Sequence, residues 1–166
     1  IAYGADFSGA RDPSYGIYYA KAVVKFIAMI DWIYLVQLID KEPWALDFPF
    51  SIPKSAYPLL AIDNWDELLD KVARLRRDDF NLFIERQIGN YEQRCTYHSK
   101  FCRFGDVELQ CFSPFKKYNP NMQAMIYGGL KLLYYPGGVG HVVFPFDSYN
   151  GIVSRIYEVY PFNTWT

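Results

Sequence analysis

Hydrophobic and polar positions change period several times along the chain, and each change marks an element. Residues 1–10, Ile-Ala-Tyr-Gly-Ala-Asp-Phe-Ser-Gly-Ala, form an apolar run into a turn at Ser8-Gly9 and predict a short buried strand. Asp12-Pro13-Ser14 is turn chemistry, with Pro13 presetting its own φ. Tyr15 to Val24 alternates around Ile17, Tyr19 and Val23, a second strand that closes a hairpin with the first. From Lys25 to Lys41 the apolar positions Phe26, Met29, Ile30, Ile33 and Val36 recur at helical spacing, and Pro43 ends the predicted helix. Trp44 to Pro49 reads as a short apolar strand.

Asn64 followed by Glu67 is a helix-opening pair, ahead of a stripe of Trp65, Leu68, Leu69, Val72 and Leu75. Asp78-Asp79 is expected to break that helix, with a second running from Phe80 to Gly89. Residues 91–118 show no period. Asn119-Pro120 predicts a helix start, with the helix reaching about Leu133. Gly137-Gly138-Val139-Gly140 reads as a loop. His141–Phe146 and Ile152–Tyr160 read as two strands joined by a turn over 147–151. Strands mixed with helices, opening on a hairpin, point to an α/β layered domain spanning 1–166, with 91–118 as an irregular cysteine-containing insertion.

Composition narrows the function classes. In 166 residues, 51% are hydrophobic and 21% charged, which excludes intrinsic disorder. The net charge of −1 provides no global positive field, so any nucleic-acid binding needs a local basic patch. Three cysteines, an odd number without a pairing scheme, favour a reducing, cytoplasmic setting. The most apolar stretch, Phe26 to Ile39, is too short to span a bilayer and contains Asp31, so no membrane association is expected.

Three acidic residues stand on apolar strands. Asp6 lies between Ala5 and Phe7, Asp47 between Leu46 and Phe48, and Glu158 between Tyr157 and Val159. A carboxylate in such surroundings costs several kcal/mol unless it is paired or binds a metal. Asp6 and Asp47 are each followed by Phe and then by a chain-turning residue, Ser8 or Pro49. Carboxylates at the carboxyl ends of parallel strands suit Mg²⁺ or Mn²⁺, which take oxygen ligands. For each acid taken alone, capping a turn or pairing with an arginine is as good a reading.

Weaker constellations remain. Cys95, His98, Cys102 and Cys111 are four zinc-ligand types in the irregular stretch, but their spacing matches no strong template, and buried thiols are the commoner outcome. Lys116-Lys117, with Arg94, Arg103, Tyr97 and Tyr118, composes a basic and aromatic strip for single-stranded nucleic acid; an ordinary solvated charge pair is the competing reading. The glycine-rich 137–140 segment lacks the Lys-Ser/Thr of a phosphate-binding loop. His141 has no nucleophile pattern beside it and reads as an edge-strand or surface residue. Arg74-Leu75-Arg76-Arg77, balanced by Asp78-Asp79, reads as a solvent face.

Several of these pieces occur in a telling order. Gly4-Ala5-Asp6-Phe7-Ser8-Gly9-Ala10 is followed by Leu46-Asp47-Phe48-Pro49-Phe50-Ser51-Ile52-Pro53. Tyr118-Asn119-Pro120, Gly128-Gly129-Leu130, Pro145-Phe146 and Glu158-Val159-Tyr160-Pro161 come after them. The series resembles an uncharacterised group of predicted RNase H-like nucleases classed as a domain of unknown function, and it covers residues 4 to 161. The resemblance implies a ribonuclease H-like fold, a central mixed sheet with helices on both faces. It also implies a strand-borne acidic cluster holding divalent metal, with Asp6, Asp47 and Glu158 on its first, fourth and fifth strands. Two features of that fold are not legible here: a third antiparallel strand before the first helix, and a last helix carrying a fourth carboxylate. The leading functional expectation is a Mg²⁺- or Mn²⁺-dependent phosphodiester hydrolase acting on nucleic acid, with Asp6, Asp47 and Glu158 converging on one site. A non-catalytic nucleic-acid-binding module is the alternative, and a phosphotransferase a weaker one resting on fold analogy.

Overall fold

A computed structural model of the chain describes residues 3–7, 17–21, 25–30, 43–87, 101–117, 121–134, 141–146 and 154–159. The chain divides into two compact units, Ile1–Phe48 with Leu132–Thr166, and Pro49–Lys131.

The first unit carries a six-stranded mixed sheet. Its strands are β1 (Tyr3–Phe7), β2 (Ile17–Lys21), β3 (Lys25–Ile30), β4 (Trp44–Asp47), β5 (His141–Phe144) and β6 (Ser154–Glu158), in the spatial order β3-β2-β1-β4-β6-β5. β1, β2 and β3 pair antiparallel, whereas β4 joins β1 in parallel and is followed by β6 and β5, also parallel. The β1–β2 hairpin is as the alternation predicts. The protein is thus an α/β mixture.

Residues 25–30 correct the expected helix over Lys25–Lys41. They form strand β3, in register with β2 from Ile17↔Ile30 to Lys21↔Lys25, with a shift between Tyr19 and Ala20. Phe26 to Ile30, Phe-Ile-Ala-Met-Ile, is a continuous apolar run that satisfies either period, and pairing with β2 decides it. Residues 31–42 lie outside the described residues. The second correction concerns β5 and β6. They pair in parallel, with His141↔Ser154 and Phe144↔Tyr157, and not as the antiparallel strands expected; the turn read over 147–151 lies outside the described residues. His141 opens an edge strand, as read from the sequence.

β4 buries Trp44 and Leu46 and leaves Ala45 and Asp47 half-buried, the alternation of a pleated strand. Val142, Val143 and Ile156 are also buried in this unit.

The second unit is helical. After a 3₁₀ turn at Lys54–Ala56 come α1 (Tyr57–Leu60), α2 (Trp65–Arg74), α3 (Arg77–Gln87) and α4 (Phe104–Glu108), and α5 (Met122–Tyr134) runs to its boundary and beyond. Asn64 caps α2 as predicted: its side chain accepts from the Glu67 amide at 2.9 Å, while Glu67 accepts from the Asp63 amide. Trp65, Leu68, Leu69 and Val72 form its buried face, and the Trp65 indole N–H donates to the Phe50 carbonyl at 2.8 Å.

The break between α2 and α3 falls at Leu75, which is extended, and not at Asp78-Asp79. Those two acids sit in the first turn of α3, where the helix dipole favours negative charge. The Tyr127 hydroxyl donates to the Leu75 carbonyl exposed by the break. Phe80 and Ile84 are fully buried, and the Phe80 ring meets Tyr127 at 5.5 Å. α5 is capped by Asn121, whose side chain accepts from the Ala124 amide at 3.0 Å. The expected cap, Asn119, lies outside the described residues.

Candidate functional site

The centre of the sheet is where its direction changes. The strand following β1 lies on one side of it, at β2, whereas the strands following β4 lie on the other side, at β6 and β5. β1 and β4 are parallel neighbours, so their carboxyl ends meet at a topological switch point, the place where open α/β sheets form a ligand crevice.

Asp6 and Asp47 occupy that point. They are register partners, the last pair of the β1–β4 ladder, after Tyr3↔Trp44, Gly4↔Ala45 and Ala5↔Leu46. Partnered positions in a sheet belong to the same face of the pleat. The two acids singled out by their apolar neighbours are therefore adjacent positions on one face. Asp47 is half-buried. Two acidic residues at partnered positions of one switch point are of the residue type that Mg²⁺ and Mn²⁺ take as oxygen ligands, the ions that the resemblance implies.

Glu158 does not join them, which corrects the expected three-acid convergence. Its register partner is Leu46, and the Val159 amide donates to the Leu46 carbonyl at 3.1 Å. That bond sets Val159, not Glu158, opposite Asp47. Glu158 therefore shares a face with Trp44 and Leu46, the face opposite position 47. The physical reason is phase: on a strand of period two, one residue of offset exchanges the faces. Among the described residues no three of His, Cys, Asp and Glu gather as a metal group.

The zinc-ligand set is also corrected. Cys102 is disulfide-bonded, so its sulfur has no thiolate to offer a metal. Cys111 is a free, buried thiol whose Sγ donates to the Leu109 carbonyl at 3.6 Å. Cys95 and His98 lie outside the described residues. The cystine at 102 also departs from the reduced state that three unpaired cysteines suggested.

The basic strip is likewise engaged elsewhere. Lys116 is only 6% exposed, and its ammonium lies 3.5 Å from the centroid of the Phe112 ring. Lys117 is ion-paired with Glu85. Arg103 pairs with the buried Asp106, its Nη2 donating to Oδ1 at 2.6 Å and its Nε to Oδ2 at 3.0 Å, while the Arg103 amide donates to the same carboxylate. A basic strip needs cations free to meet phosphate, and these three already have internal partners. Arg94, Tyr97 and Tyr118 lie outside the described residues.

Asp106 and Phe112 escaped the sequence reading. The signal for Asp106 was its i,i+3 spacing from Arg103; Phe112 stands four residues before Lys116 in a stretch with no period to place it.

No protein-family model, curated protein or solved structure matches the chain. Among the described residues no helix is long and apolar enough to cross a membrane.

Proposed function

We propose that this chain is a divalent-metal-dependent phosphodiester hydrolase built on a ribonuclease H-like sheet, with nucleic acid as its substrate class. The observation that carries the reading is the register pairing of Asp6 with Asp47 at the switch point between β1 and β4. A second observation supports it: β3 supplies the third antiparallel strand that the sequence pattern had not revealed. Asp6 and Asp47 are the residues that hold the ion, and their negative charge is their contribution to its binding. When bound, Mg²⁺ or Mn²⁺ supplies Lewis-acid polarisation of a phosphoryl oxygen and lowers the pKa of water. Glu158 takes no part in that site.

The separation of Glu158 favours one second reading, a nucleic-acid-binding module on the same sheet without turnover. A single experiment distinguishes the two. The full chain is incubated with single-stranded RNA, single-stranded DNA, duplex and hybrid, with Mg²⁺ or Mn²⁺ and with EDTA. The hydrolase reading expects cleavage of at least one substrate that EDTA and Asp47→Asn both abolish. Binding without cleavage establishes the module, and cleavage that survives chelation or Asp47→Asn overturns the metal site.

A further inference from the structure

Helix α3 has a second face that the hydrolase reading does not use. Phe80 and Ile84 turn into the core, whereas Asp79, Leu82, Phe83 and Arg86 recur at i, i+3, i+4 and i+7 on the other side. Leu82 is 45% exposed, a large apolar side chain left in water. With Gln87, these residues line an open cleft of about 300 Å³. Among the described residues neither Asp79 nor Arg86 has an ion-pair partner.

The stripe is self-complementary. Asp79 lies as far before the midpoint between Leu82 and Phe83 as Arg86 lies after it. A second copy of the helix, laid antiparallel about a twofold axis through that midpoint, sets Asp79 against Arg86 of the second copy, and Arg86 against its Asp79. The same operation places Leu82 on Phe83 twice. A parallel arrangement sets acid on acid and base on base, so charge alone selects the antiparallel one.

We infer that this face of α3 is an isologous interface through which two copies of the chain associate. One helical stripe is a small patch, which makes the association weak and concentration-dependent.

Sedimentation velocity of the full chain over a concentration series tests this. The parent is expected to shift from monomer to dimer as concentration rises. Asp79→Arg and Arg86→Asp, each creating like-charge pairs, should each weaken dimerisation by roughly tenfold or more, and the double exchange should restore it. Because these charges also sit at the ends of α3, circular dichroism accompanies each variant. Leu82→Gln, an exposed substitution that spares the helix ends, provides an independent arm and should also weaken the dimer. A parent that stays monomeric throughout overturns the inference. So does a Leu82→Gln chain that dimerises like the parent, or a folded double variant that does not recover.

Discussion

Asp6 and Asp47 are register partners on adjacent parallel strands, at the carboxyl ends where the sheet changes direction. Glu158, with similar apolar neighbours in sequence, is partnered with Leu46 one position earlier and so belongs to the other face. That single offset leaves two of the three acids at partnered positions, where the sequence leads one to expect all three together.

Lys116 and Lys117, adjacent in sequence, should respond differently to substitution. Lys116→Ala removes a buried stem and a cation over Phe112 and should cost on the order of 1–2 kcal/mol in urea unfolding. Lys117→Ala breaks a partly exposed pair with Glu85 and should cost less than about 1 kcal/mol. Neither change should alter the salt slope of nucleic-acid binding. A slope reduced by Lys116→Ala would return that residue to a phosphate-contacting surface.

The cysteines give a second check. Cys111 is free and Cys102 is half of a disulfide, so the denatured, unreduced chain should present one titratable thiol, and the reduced chain three. Three thiols before reduction would show that the disulfide is absent, and would reopen Cys102 as a metal ligand.

Tyr57 predicts an alkaline effect. Burial pushes its phenol above the ordinary value near 10, because the fold favours the neutral form. On raising the pH past that value the unfolded chain releases this proton first, so the native state binds more protons and stability falls. The contribution is fully present below pH 10 and is lost as pH rises through the folded-state value. Tyr57→Phe should therefore lose less stability than the parent between neutral pH and pH above 10, measured as urea midpoints. Equal losses would mean that Tyr57 titrates alike in both states.

What the sequence made legible is local. The alternation of Ile17 and Tyr19 and the Asn64–Glu67 cap need no information beyond a few residues, and β2 and α2 follow them. β3 was hidden because Phe26, Met29 and Ile30 fit a helix as well as a strand, and the choice lies in pairing with β2, which the period of 25–30 alone does not carry. For the site, apolar flanks identified Asp6 and Asp47, but register is a property of two strands at once, so Glu158 could not be assigned a face from its own neighbours. Lys116 was misread because a charged residue in an aperiodic stretch carries no sign of the ring beneath it.

The paired-carboxylate site is tested most directly by thermal unfolding of the full chain with and without Mg²⁺ or Mn²⁺, in the parent, Asp6→Asn, Asp47→Asn and Glu158→Gln. An ion that binds the native state alone raises its melting temperature. The register predicts a rise in the parent, its loss in both Asn variants and its retention in Glu158→Gln. A rise that survives Asp6→Asn and Asp47→Asn, or one abolished by Glu158→Gln alone, would contradict it.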